Sequence, residues 1–295
     1  MQRKFTMDIV QRSVRCFFFL ALSGCALGLS ISSHAQELTI TPAAPVAYQP
    51  FTLDLISVCP HFSDLDVIQV DVFPGMYTIR VNAGDSRICW DPPPVSAKKA
   101  SVLGLPGGTY SIQQSAMFDD SSVGFPEIGT ITVAPAPPTQ PIFAFYNDAI
   151  GHYFITAGTA ERNSLLGGGG GGGWAIVDEG FRAWPADGPA PAAAKPVCRF
   201  YSSLVNSHFY TAGANECELL KQSGSGWTYE GIAFRALVPT KGSCYPGTTP
   251  VWRLYNDRFA QADSNHRFVV SADTYRHMIA NGWVGEGVAF CSPES

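Results

Sequence analysis

The sequence predicts an all-β protein with short helices, arranged as two domains. Three observations carry that reading. An eight-residue segment bounded by Trp and Phe occurs three times in the C-terminal half, short β-rich runs separated by Pro and Gly precede it, and a Pro-rich stretch lies between the two regions. The 295 residues allow two domains of ordinary size, and 46% hydrophobic against 15% charged residues excludes a disordered chain.

Residues 1–35 combine a basic region (Arg3, Lys4, Arg12, Arg15), an apolar run from Cys16 to about Ile31, and the small-x-small sequence Ser33-His34-Ala35. This pattern reads as a secretory signal peptide. Its removal takes away four basic residues and Asp8, moving the formal charge from −5 to −8, and so acidic a chain is a poor partner for nucleic acid. Leu22-Ser-Gly-Cys25 also resembles a lipoprotein cleavage site, at which Cys25 would be acylated. The apolar run continues past Cys25, whereas a lipid-anchored tether is normally polar, so the expectation is a secreted protein, periplasmic or extracellular, with no transmembrane segment after signal removal.

Residues 36–134 read as an immunoglobulin-like β-sandwich. Strand-like runs occur at 38–40, 51–56, 67–73, 77–81, 110–112 and 131–133, punctuated at Pro42, Pro50, Pro74-Gly75, Pro106-Gly-Gly108 and Pro126. About seven short strands in about 100 residues is the sandwich pattern. Leu105-Pro-Gly-Gly-Thr-Tyr110 resembles the turn and final strand of many bacterial domains of that kind. Residues 135–141 follow as a semi-rigid polyproline linker.

Residues 142–295 hold the three repeats. Trp227-Thr-Tyr-Glu-Gly-Ile-Ala-Phe234 matches Trp283-Val-Gly-Glu-Gly-Val-Ala-Phe290, and Trp174-Ala-Ile-Val-Asp-Glu-Gly-Phe181 aligns with both without a gap. A Gly after Glu in an apolar octet suggests a tight turn with φ > 0, with Asp178 standing in, so each copy is expected to be a small hairpin. Before it come a strand (Phe143 to Asn147, Cys198 to Ser202, Trp252 to Asn256) and a second strand opening on His152, His208 or His266. A short helix should follow, with Asn215 and Glu218 at capping-box spacing, and Asp273 to Asn281 repeats it. Four strands per repeat, at tryptophan spacings of 53 and 56 residues, point to a β-trefoil-like domain, since propellers need at least four blades.

The ordered motifs Tyr-Asn, His-x-Phe-x-Thr and Gly-Trp-x-x-Glu-Gly-[Ile/Val]-Ala-Phe resemble a repeat family of unknown function found in secreted bacterial proteins, usually in threes and sometimes appended to hydrolases. The resemblance covers Pro141 to Pro293 and departs from the pattern at Val177-Asp178. It implies an extracellular location and a trefoil-like fold, and brings no assigned activity.

Gly167 to Gly173 and Pro185 to Pro196 read as flexible loop expansions, because no Gly-Lys-Ser/Thr follows the glycine run. Six cysteines remain after signal removal, an even number suited to an oxidising compartment. Locality favours Cys59 with Cys89, Cys198 with Cys217, and Cys244 with Cys291; no Cys-x-x-Cys pair suggests a metal.

No nucleophile elbow, His-Glu-x-x-His or Walker loop is present, so no enzyme, cofactor or metal is expected. Glu230 and Glu286 occupy equivalent repeat positions, which argues against a glycosidase pair. The leading expectation is a non-catalytic recognition module binding extracellular polysaccharide, by analogy with other trefoils. Its candidate ligand residues are those beside the variable loops: Tyr146, Asn147, Tyr201, Trp252, Tyr255 and Asn256. The alternatives are a structural or adhesive protein that binds a cell-surface protein, and an accessory module related to those on secreted hydrolases.

Overall fold

The structure, a computed structural model, describes residues 4–6, 36–57, 68–73, 76–81, 96–114, 116–117, 123–124 and 127–294. The chain divides into two compact units, one of Met1–Pro45, Pro50–Val102 and Gly108–Thr132, the other of Val46–Gln49, Leu103–Gly107 and Val133–Ser295. It is all-β with short helices.

The first unit contains β1 (Lys4–Thr6), β2 (Gln36–Thr41), β3 (Phe51–Ser57), β4 (Ile68–Phe73), β5 (Met76–Val81), β6 (Ser96–Val102), β7 (Gly108–Gln114), β8 (Ala116–Met117), β9 (Val123–Gly124) and β10 (Glu127–Val133). They form two four-stranded sheets, ordered β1-β2-β3-β6 and β10-β7-β5-β4, and a β8-β9 ribbon. Strand β1 falls within the segment read as an export signal and pairs antiparallel with β2. Alternation buries every second residue: Phe51, Leu53 and Leu55 in one sheet, Ile79, Val81, Tyr110 and Ile112 in the other. Strand β6 escapes a hydropathy reading because the residues it buries, Ala100 and Val102, alternate with Lys99 and Ser101 and are small. Cys59 and Cys89 lie outside the described residues.

In the second unit each repeat is one three-stranded antiparallel sheet and one helix. Repeat 1 has β11 (Gln140–Asn147), β12 (His152–Thr156), α1 (Thr159–Leu166) and β13 (Trp174–Ala183). Repeat 2 has β14 (Lys195–Ser202), β15 (Ser207–Thr211), α2 (Ala214–Leu220) and β16 (Thr228–Ala236). Repeat 3 has β17 (Thr248–Tyr255), β18 (His266–Val269), α3 (Ala272–Ala280) and β19 (Val284–Pro293). The first strand is central in every sheet.

The expected hairpin is therefore corrected. The Trp-to-Phe segment belongs to a single strand, and its Glu-Gly is a β-bulge: pairing steps from Arg199 opposite Gly231 to Phe200 opposite Tyr229, leaving Glu230 unpaired, and from Arg253 opposite Gly287 to Leu254 opposite Gly285, leaving Glu286 unpaired. The positive φ is real, 118° at Gly231 and 86° at Gly287, but it serves the bulge rather than a chain reversal. Asp178 does not share it; in repeat 1 the irregularity spans the step from Ile142–Phe181 to Ala144–Val177. Three strands per repeat thus replace the four of a trefoil unit.

The three sheets meet where the last residue of each motif is buried. Phe181, Phe234 and Phe290 form a closed triangle with ring centroids 5.8, 5.6 and 6.1 Å apart, and Ile155, Tyr210 and Phe268 extend the same core. Burying a phenyl ring contributes about 2 kcal/mol or more, so this apolar axis holds the repeats together. The capping-box expectation is also corrected: α2 starts after Gly213, whose N–H donates to Thr211 Oγ1, and Asn215 lies inside the helix. Ser271 does cap α3, accepting from Thr274 N at 3.2 Å. The segment before β11 is tied down, as Arg182 Nε donates to Thr139 Oγ1 and Trp184 Nε1 to the Pro137 carbonyl.

Candidate functional site

Cross-strand register shows which repeat residues are equivalent. Tyr153 faces Tyr146, His208 faces Tyr201 and His266 faces Tyr255, so Tyr153, His208 and His266 share one position. His152 stands one residue earlier, opposite Asn147, where repeat 2 has Ser207 and repeat 3 has Asn265. This offset gives His152 a spacing of 6 residues from its Tyr against 7 for His208, while the spacing of 11 at His266 comes from the longer loop that holds the Phe259–Gln261 turn.

His152, Ser207 and Asn265 are all buried and join the three repeats at one end of the core. His152 Nδ1 lies 3.1 Å from the Asn206 carbonyl and Nε2 2.6 Å from Asp263 Oδ1. Each ring nitrogen thus faces an oxygen, one from repeat 2 and one from repeat 3. Asn265 donates to the Tyr153 carbonyl and to Ser207 Oγ, and its Oδ1 accepts from Tyr153 N. Burying these groups is tolerable because each has partners.

An arginine flanked by two carboxylates recurs between repeats. Arg199 Nη1 is 2.9 Å from Glu161 Oε2 on α1, and its Nε is 2.8 Å from Glu230 Oε2 at the bulge. Arg253 Nε is 2.8 Å from Glu286 Oε2, with Glu216 of α2 at 3.6 Å from Nη1. Thus the bulge acids anchor an arginine of the neighbouring strand and the helix of the preceding repeat supplies its second partner. Repeat 1 has Ala144 in place of the arginine. There Glu179, buried, accepts instead from Val270 N and Ser271 N of repeat 3. The ring contacts Phe154–His208 and Phe209–His266, both 4.8 Å, give way at the third junction to the Arg267 guanidinium 4.2 Å over Tyr153.

Burial, followed by the charge of the neighbouring arginine, lowers the His208 pKa to about 4 and the His266 pKa to about 3. Both rings are therefore neutral near pH 7. Their approaches to Glu230 (3.4 Å) and Glu286 (3.5 Å) are contacts of a neutral imidazole rather than ion pairs.

Between repeats 1 and 2 opens a cleft of about 390 Å³. Trp174, Phe154, Tyr153, Tyr201 and His208 supply aromatic surface, Glu161, Ser164 and Asn206 supply polar groups, and His152, Ser207 and Asn265 line it as well. The glycine run forms part of the wall through Gly170. It is a tethered turn rather than a free expansion: Trp174 Nε1 donates to the Gly170 carbonyl, Asn147 Nδ2 to that of Gly172, and Gly169 N to that of Ser164. Positive φ at Gly168 and at Gly170 through Gly173 is what requires glycine there.

Of the six residues expected to meet a ligand, the structure brings only Tyr201 to this cleft. Tyr146 packs on Tyr153 at 4.6 Å and Tyr255 stacks on His266 at 4.8 Å. Asn147 and Asn256 hold their own loops, through Ala149 N and the Gly172 carbonyl in one case and Asn265 N and the Asp263 carbonyl in the other. Trp252 stacks on Tyr275 of α3 at 5.6 Å. Its equivalents explain why: Cys198 is bonded to Cys217 of α2, and Phe143 lies under Arg162 of α1 at 4.9 Å. One strand-to-helix clamp is made as an aromatic stack, a disulfide and a cation–π contact. The second expected disulfide, Cys244–Cys291, is also present.

Glu161, Ser164 and Asn206 were missed. A signal for Glu161 existed, because Thr156-Ala-Gly-Thr-Ala-Glu161 and Thr211-Ala-Gly-Ala-Asn-Glu216 align without a gap; Ser164 and Asn206 carried none.

No curated protein and no solved structure matches this chain. A family model described as a domain of unknown function, DUF5648, matches residues 108–237 and, overlapping them, residues 141–293. The second match alone covers more than half of the chain, and its span takes in all three sheets of the second unit but for Gln140. On that match the chain belongs to the family described as domain of unknown function DUF5648.

Proposed function

We propose that the protein is a secreted, non-catalytic recognition module that binds extracellular glycan in the cleft between repeats 1 and 2. The observation that carries the reading is the lining of that cleft. The half-buried rings of Trp174 and Tyr201 stand beside the hydrogen-bonding groups of Glu161, Ser164 and Asn206 in about 390 Å³. A sugar ring offers an apolar C–H face and a rim of hydroxyls, and a concave site with aromatic walls and a few placed polar groups suits both.

Two disulfides support an oxidising location. Among the described residues no helix is long and apolar enough to cross a membrane. The equivalent junction of repeats 3 and 1 is occupied by Arg267, which donates to Tyr153 Oη and packs on its ring. The reading therefore assigns binding to the junction of repeats 1 and 2.

The test is a glycan array and an insoluble-polysaccharide pull-down with the full chain, disulfides intact. Retention that is lost in Tyr201→Ala and kept in Trp252→Ala supports the cleft. A folded protein that retains no glycan would move the function to the alternative of a structural or adhesive surface protein that recognises a protein partner.

A further inference from the structure

The lining of the cleft narrows the ligand further. Resting on the glycan reading, we infer that the site selects neutral sugars and rejects acidic ones, such as uronates, sialates and sulfated sugars. The walls carry no lysine or arginine, and their acidic group is Glu161. Arg199, the guanidinium that touches Glu161, is committed: its Nη1 donates to both oxygens of Glu161 and its Nε faces Glu230 at 2.8 Å. His152 is equally engaged, with Asn206 on one nitrogen and Asp263 on the other. His208 is uncharged near pH 7, its pKa lowered to about 4 by burial and by Arg199.

An acidic sugar would therefore place its charge beside the Glu161 carboxylate, while the Arg267 guanidinium is held on Tyr153 at the junction of repeats 3 and 1 by Tyr153 Oη and Met278 Sδ, and like charges at close range are disfavoured. A neutral sugar meets the opposite situation. Glu161 Oε2 accepts from Thr156 and Arg199 and Oε1 from Arg199 alone, which leaves lone-pair capacity on Oε1 for a donated hydroxyl. Its side chain is 36% exposed and lines the cleft. Ser164 and Asn206 are exposed at the rim and can accept or donate. The volume suits the end of a chain or a short oligosaccharide.

The experiment uses matched pairs that exchange a hydroxymethyl group for a carboxylate: galactobiose against digalacturonate, and methyl glucoside against methyl glucuronide, titrated calorimetrically into the full chain at about pH 7. Neutral members are expected to bind at least about ten-fold more tightly than their acidic partners, a difference of about 1.4 kcal/mol. Ser164→Lys places a cation on the exposed face of α1 at the rim and should narrow or reverse that ratio. Acidic members that bind the unaltered protein as well as neutral ones would overturn the inference and leave the glycan reading standing. An unchanged ratio in Ser164→Lys, with binding retained, would overturn the placement in this cleft. If no glycan of either charge binds while the array also stays empty, the glycan reading itself fails.

Discussion

Acidification from about pH 7.5 to about pH 5 should destabilise the repeat unit through two particular side chains. His208 and His266 are neutral in the fold, with pKa values lowered from 6.5 to about 4 and about 3 by burial and by Arg199 and Arg253. The groups around His208 are Tyr201, Phe154, Arg199, Glu161 and Glu230; those around His266 are Tyr255, Phe209, Arg253 and Glu286. In the unfolded chain each imidazole takes up a proton below about 6.5, while in the fold it does not. The unfolded state then binds more protons, so stability is constant above about pH 6.5 and falls as the pH drops toward the folded values. With these values each ring costs about 2 kcal/mol at about pH 5, and the pair about 4 kcal/mol. At a urea dependence of about 2 kcal/mol/M the unfolding midpoint should move down by about 2 M. Tryptophan fluorescence suits the measurement, because Trp174, Trp184, Trp227, Trp252 and Trp283 all lie in the second unit. The double variant His208→Gln, His266→Gln keeps a side-chain donor and removes the titration, so most of the pH-dependent difference should vanish whatever the variant costs at neutral pH. A pH dependence equal to that of the unaltered protein would refute the assignment of two buried neutral imidazoles.

The other expectations concern how the repeats are held. Removing the Cys198–Cys217 bond, which spans 19 residues, with Cys198→Ala and Cys217→Ala should lower stability by about 3 kcal/mol in a urea titration. Truncating one ring of the axial triangle, Phe234→Ala, should cost about 3–5 kcal/mol, and a double truncation with Phe290→Ala should be non-additive because the rings touch. Trp252→Ala should shift thermal stability by about 2–4 kcal/mol and leave glycan retention unchanged, since its stack on Tyr275 holds α3; lost retention at unchanged stability would return Trp252 to the binding site. Gly287→Ala, at φ 86°, should cost about 1–2 kcal/mol by thermal denaturation, from left-handed backbone strain at the bulge.

The sequence by itself determined the β class, the repeat and its limits, the central and second strands of each sheet, and two of the cysteine pairs. Each of these is local or periodic: alternation, a recurring spacing, or cysteines close in the chain. It also revealed that Gly231 and Gly287 need positive φ, yet a bulge and a hairpin ask the same of a glycine, and only pairing with Arg199 and Arg253 on the central strand separates them. Residue type likewise made Trp252 a candidate ligand residue and left the equivalence of the three histidines open. Register settled the alignment, putting Tyr153 in the place of His208 and His266, and the packing stacks Trp252 on Tyr275. The cleft could not be read from the chain at all, because its walls come from α1, the glycine turn and β12 of one repeat and the β14–β15 junction of the next. Their approach is fixed by burial of Phe181, Phe234 and Phe290 around a common axis, an effect that exists only when all three repeats are packed together.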